Sequence, residues 1–81
     1  MDLVLYIATG CHLCPPAQAC VEEVVADLPA GTVSLRVVDI DGDIALERRY
    51  REAIPVLELD GRELQRYVFD APALRRAMGL L

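Results

Sequence analysis

The run Leu3-Val4-Leu5-Tyr6-Ile7 is apolar with almost no alternation. That pattern suits a central β-strand covered on both faces rather than a strand with one wet side. Thr9-Gly10 breaks the run, and two cysteines, Cys11 and Cys14, follow directly. Behind them Leu13, Ala17, Cys20, Val21, Val24 and Leu28 recur at the spacing of one helical stripe. Glu22, Glu23 and Asp27 fall elsewhere on the turn and are expected to face water, and Pro29 and Gly31 end the helix. Pro15 and Pro16 lack N–H groups and are tolerated only in a first turn. Regular helical hydrogen bonding is therefore expected to begin near Cys14 or Pro15.

A second strand is expected over residues 32–40, where Val33, Leu35 and Val37 alternate with Ser34 and Arg36 before Val38 and Ile40. A helix between parallel strands makes the standard right-handed crossover, so strand, helix and strand form one unit. Asp39-Ile40-Asp41-Gly42-Asp43 supplies turn and N-cap residues for a short helix over about residues 44–53. Leu46 and Tyr50 mark its buried side, and Glu47 and Arg51 are spaced for a weak surface pair. Pro55 opens a third strand, Val56-Leu57-Glu58-Leu59. Asp60-Gly61 then signals a hairpin, because a type I′ turn needs positive φ at both central positions. The returning strand over residues 62–68 is polar enough to be a protected edge. Asp70 is expected to cap a last helix with Pro72 in its first turn and Ala71, Leu74, Met78 and Leu81 as its apolar stripe. Arg75 and Arg76 complement its dipole, and Gly79 stops it.

With 81 residues there is room for a single domain, residues 1–81, with a modest core. A net charge of −5 argues against a nucleic-acid partner, which a basic face would attract. No run approaches the roughly 20 apolar residues of a membrane span. The first residues lack the basic start and cleavage site of a signal peptide. The expectation is a cytoplasmic protein without a membrane or nucleic-acid partner, acting as a monomer. An odd number of cysteines, three, in a reducing compartment speaks against a structural disulfide framework.

The chemistry follows from where Cys11 falls. A strand delivers it to the start of a helix, where backbone N–H groups without partners and aligned peptide dipoles favour a thiolate. The thiolate is the form that attacks disulfides, and such sites lower a cysteine pKa from about 8.5 to roughly 3.5–7.5. Cys14, one turn on, is close enough to close a small disulfide ring. The spacing points to dithiol redox chemistry.

The order strand, helix, strand, helix, strand, strand, helix, with Cys11-His12-Leu13-Cys14 after the first strand and Ala53-Ile54-Pro55-Val56-Leu57 at the third, resembles the thioredoxin fold in its small, glutaredoxin-like form. More closely, the chain is similar to short bacterial glutaredoxin-like proteins with a Cys-His-Leu-Cys motif. The resemblance covers essentially the full length and implies an α/β fold, β-α-β-α-β-β-α, with a four-stranded mixed sheet flanked by three helices. It implies a thiol–disulfide oxidoreductase serving electron transfer and cell redox homeostasis, in which Cys11 attacks a substrate disulfide and Cys14 resolves the mixed disulfide. Pro55 would be a cis-proline facing the cysteines, and the Ile54 backbone would offer a strand edge to a peptide or glutathione. His12, beside the nucleophile, and Asp70, at the start of the last helix, complete the implied substrate-binding set. No tightly bound cofactor is implied. Glutathione as co-substrate, a disulfide-containing protein and a reductase are the implied partners, with Arg51 a candidate for a glutathione carboxylate. Two departures stand out: Ala8-Thr9-Gly10 carries no cation ahead of the motif, and His12-Leu13 replaces the family's usual Pro-Tyr.

A second reading is a non-catalytic thioredoxin-fold module binding a partner protein or a soft metal through the same surface. Cys11, His12 and Cys14 provide only three local ligands, short of a tetrahedral zinc site, so no metal is expected. Cys20 lies in the helical stripe and reads as a small core hydrophobe. Asp39, Asp41 and Asp43 read as turn and cap residues rather than a cation site. Arg48, Arg49 and Arg51 read as a solvated helix face.

Overall fold

The computed structural model describes residues 1–80. Its elements come in the expected order: β1 (Asp2–Ile7), α1 (Cys14–Ala26), β2 (Ser34–Asp39), α2 (Ile44–Tyr50), β3 (Val56–Leu59), β4 (Arg62–Arg66) and α3 (Ala71–Ala77). The strands form one mixed sheet in the order β2-β1-β3-β4. β2 lies parallel to β1, with Ile7 opposite Asp39, and β3 lies antiparallel to it, with Tyr6 opposite Val56. β1 is therefore interior to the sheet.

One face of that sheet is sealed and the other half-covered at β1, which is why β1 shows so little alternation. On one face Leu3, Leu5 and Leu57 meet Val21 and Val24 of α1 and Leu74 and Met78 of the α3 end. Most of these side chains are fully sealed, and each such leucine or valine contributes roughly 1.5–3 kcal/mol through burial. On the other face Ala8, Val56 and Tyr6 meet Ile40 and, from α2, Tyr50 and Leu46. The second cluster also holds an acidic side chain. Glu58 is only 9% exposed, and Tyr50 donates its hydroxyl to Glu58 Oε2 at 2.6 Å. Tyr6 stacks on Tyr50 with ring centroids 4.2 Å apart. Burial, followed by the bond to Glu58, pushes the Tyr50 phenol well above its ordinary range.

Several boundaries differ from the sequence expectation, each for a local reason. α2 stops at Tyr50 rather than near residue 53, because the N–H groups of Ala53 and Ile54 both turn back to the Tyr50 carbonyl ahead of Pro55. β4 stops at Arg66 rather than residue 68, because Tyr67 adopts a left-handed φ of 68°. Leu13 sits one residue ahead of α1 and is 42% exposed, so it leaves the predicted buried stripe. Asp70 occupies the N-cap position of α3 with extended backbone but makes no side-chain capping bond. Leu81, assigned to the α3 stripe from sequence, lies outside the described residues.

Other expectations hold in detail. Asp60 and Gly61 have φ of 50° and 86°, the pair of positive values a type I′ hairpin requires. α3 ends at Gly79, whose N–H donates to Arg76 while Leu80 N–H donates to Arg75, the paired closure of a Schellman motif. β4 is an edge strand, and its Arg62, Glu63 and Arg66 are exposed.

Candidate active site

β1 ends at Ile7, and Ala8-Thr9-Gly10 carries the chain over the end of the sheet to Cys11. Gly10 has φ of 81°, a conformation open chiefly to glycine. Cys11 N–H donates to the Ala8 carbonyl at 3.3 Å, and Cys14 N–H to the Cys11 carbonyl at 3.4 Å. These two tight turns wind the motif onto α1. The sulfurs of Cys11 and Cys14 are joined as a disulfide, with their Cα atoms 5.4 Å apart. Cys11 is half-buried and Cys14 is 3% exposed, so an attacking or attacked group reaches Cys11 first.

The proline pair sets the electrostatics of the motif. α1 begins at Cys14, as Pro15 and Pro16 led the sequence reading to expect, so Cys11 lies ahead of the helix, and the prolines in its first turn carry no N–H. Ala17 N–H is taken by the Leu13 carbonyl, and Cys14 N–H by that of Cys11. The open donors that a helix start ordinarily presents are therefore reduced to those of His12 and Leu13 among the described residues.

The Ile54–Pro55 peptide bond is cis, as the resemblance implied. Tyr6 pairs with Val56, so continuing that antiparallel register sets Pro55 beside Ile7, just ahead of the cysteine turn. Pro55 is fully buried and Ile54 half-buried. His12 is exposed beside Cys11. Asp70 is exposed at the head of α3, where its charge acts on Cys20. The Cys20 thiol is pushed up by burial first, then by Glu23 and Asp70, with Arg75 opposing. Cys20 packs against the aliphatic cluster without being sealed by it.

A polar tether that sequence reasoning missed holds the loop before Cys11. Thr9 donates its N–H to Asp41 Oδ2 at 3.0 Å and its hydroxyl to Asp39 Oδ2 at 3.2 Å. Asp39 also accepts Asp41 N–H at 2.8 Å, and Arg51 donates to Asp41 Oδ1 at 3.1 Å. The cap and turn reading is right for Asp43, which accepts from Leu46 N–H, and incomplete for the other two. The signal was present in the parallel pairing: Ile7 opposite Asp39 puts Thr9 opposite Asp41. Arg51 also pairs with Glu47, so the arginine proposed for a glutathione carboxylate already serves two carboxylates of its own chain.

Among the described residues no group of three or more His, Cys, Asp or Glu side chains is arranged to hold a metal ion. No helix among them is long and apolar enough to cross a membrane.

Sheet order, crossover and a cysteine pair at the head of the first helix define the class, a thioredoxin-like domain with a dithiol motif. A family profile described as "Glutaredoxin-like domain (DUF836)" matches residues 2–79. The chain belongs to this glutaredoxin-like family. The crystal structure of the Northeast Structural Genomics target protein XcR50 from X. campestris is 36% identical with a TM-score of 0.78, covering 98% of this chain and 97% of that one. Protein Ne2328 from Nitrosomonas europaea is 31% identical with a TM-score of 0.73, covering 93% and 87%. A malarial protein at 17% identity and a TM-score of 0.72, covering 96% and 92%, shares the fold. Among proteins with curated descriptions, no sequence matches the chain.

Proposed function

We propose that this chain carries out thiol–disulfide exchange through Cys11 and Cys14. The Cys11 thiolate attacks one sulfur of a disulfide in a protein or in glutathione, forming a mixed disulfide and releasing the other sulfur as a thiolate that takes up a proton. Cys14, having given up its proton, attacks the Cys11 sulfur and releases the second substrate thiol. Two electrons pass from the dithiol to the substrate and leave the Cys11–Cys14 disulfide. A thiol reductant, glutathione or the dithiol of a reductase, has to return the pair for the next turn. His12 lies beside the attacking sulfur in this reading, and the Ile54-Pro55 edge receives the substrate backbone.

The observation that carries the reading is the asymmetry of the bonded pair, with Cys11 reachable and Cys14 enclosed. The test is reduction of hydroxyethyl disulfide by the wild type, Cys11→Ser and Cys14→Ser, with a thiol reductant in excess. The wild type should turn over and Cys11→Ser should fall to the buffer rate. Cys14→Ser should accumulate a mixed disulfide on Cys11 that mass spectrometry detects. Equal, negligible rates for wild type and Cys11→Ser would leave the non-catalytic binding module as the better reading.

A further inference from the structure

The chain has eight arginines, no lysine and a net charge of −5. Half of those arginines, Arg48, Arg49, Arg51 and Arg66, line a single cavity of about 550 Å³. Glu47 and Glu52 also line it, but the charges are not evenly spent. Arg51 is held by Glu47 and Asp41, and Arg66 by Glu63. Arg48 and Arg49, both exposed, enter no ion pair among the described residues. Arg49 lies with its guanidinium 5.2 Å from the Tyr50 ring centroid, which holds it in place without neutralising it.

The cavity adjoins the Ile54-Pro55 edge through Ala53 and Tyr67. Tyr67, a lining residue, donates its N–H to the Pro55 carbonyl and its hydroxyl to the Glu52 carbonyl, each at 2.9 Å. Its φ of 68° is one that a bulky side chain disfavours, and an outlier held by two such bonds points to a required shape. Tyr67 and the adjoining Val68 are 43% and 74% exposed. An apolar lip therefore adjoins the arginines, next to the cis-proline whose register brings it alongside the approach to Cys11.

We infer that this arginine cavity docks an acidic stretch of the protein whose disulfide the dithiol exchanges with. The inference rests on the exchange reaction proposed above and names its substrate class. Charge complementarity selects the acidic stretch, since a chain of net negative charge repels anions except where its cations gather. The apolar lip selects a polypeptide over a small anion, because it offers contact area for side chains beyond the charged group. Glutathione is the weaker occupant, its expected arginine being already paired.

The test uses synthetic peptides with one disulfide: an acidic peptide, its twin with Gln and Asn for Glu and Asp, and a redox-inert acidic twin with Ser for Cys. The readout is the ratio of kcat/KM for the acidic to the neutral peptide, which cancels changes in the dithiol itself. The wild type should favour the acidic peptide, and the preference should shrink with salt as screening shortens to about 3 Å at 1 M. In Arg48→Gln/Arg49→Gln the ratio should fall about three- to tenfold, the worth of two exposed ion pairs. Arg48→Lys/Arg49→Lys should retain most of it, and Arg76→Gln, outside the cavity, should leave it unchanged. Equal kcat/KM for the two peptides in the wild type would overturn the inference, as would a preference that survives in the double glutamine variant. So would faster reduction of glutathione disulfide with the same arginine dependence. If the wild type fails even on hydroxyethyl disulfide, the exchange reading fails separately. Binding of the serine peptide, followed by fluorescence anisotropy, then decides the docking: salt-sensitive binding lost in the double glutamine variant supports it, and no binding overturns it.

Discussion

The two faces of the sheet solve different problems. The face under α1 and α3 is aliphatic and dry, built from Leu3, Leu5, Leu57, Val21, Val24, Leu74 and Met78. The face under α2 is smaller and mixed, with stacked Tyr6 and Tyr50 and a buried carboxylate bonded to one of them. β3 feeds both, since Leu57 goes to the first cluster while its neighbours Val56 and Glu58 go to the other side. The first face holds the domain together by area. The second leads directly into the cis-proline loop and the arginine cavity. Its polar pair works by geometry more than by energy, because burying a carboxylate costs solvation that its hydrogen bond only offsets.

That contrast breaks most easily at Leu57. Leu57→Ala should cost about 2–5 kcal/mol in urea denaturation. In a domain this size that lowers the melting temperature by roughly 10–40 °C, or leaves the variant unfolded. Tyr50→Phe should cost less, about 1–3 kcal/mol, because the stacked ring stays and only the donor to Glu58 is lost. Tyr50→Phe combined with Glu58→Met should recover most of that loss. A double variant no better than the single one would show that the carboxylate contributes more than a need for its partner. If Tyr50→Phe destabilises as much as Leu57→Ala, the division between the faces is wrong.

The smallest effect sits at Cys20, on the rim of the aliphatic face. Its pKa is raised by burial and then by Glu23 and Asp70, so the fold favours the neutral thiol. The stability it contributes is full below the ordinary thiol pKa and is lost as pH rises through the raised one. With Cys11 and Cys14 oxidised, iodoacetamide should modify Cys20 more slowly than free cysteine at mildly alkaline pH and catch up only at higher pH. Glu23→Gln should shift that profile slightly downward. A profile that matches free cysteine would mean the rim is wetter than its packing indicates.

Local chemistry was the legible part. Asp60-Gly61, Gly79 and the cysteine pair each impose a geometry through a backbone requirement or a fixed spacing, and each is found as expected. The β1 run announced its interior position because alternation is missing when one face is sealed and the other at least half-covered. What stayed hidden depends on which distant residue lies opposite. Glu58 looks like a solvent-facing strand residue until Tyr50 is found above it. Thr9 meets Asp41 only through the pairing of β1 with β2, and Arg51 becomes a structural partner by the same route. Tyr67 had no local reason to turn left-handed; its two carbonyl partners come from another loop.

The proline pair at the head of α1 bears on the direction in which electrons travel. A protein that cushions its sulfur anion makes the dithiol comfortable and its disulfide a strong oxidant, whereas one that offers little cushioning tips the balance the other way. Pro15 and Pro16 put ring carbons where most residues would supply hydrogens. In the proposed exchange, the hydrogens that could steady a reduced Cys11 are therefore those of His12 and Leu13 in the turn itself, and the first turn of α1 adds little to them.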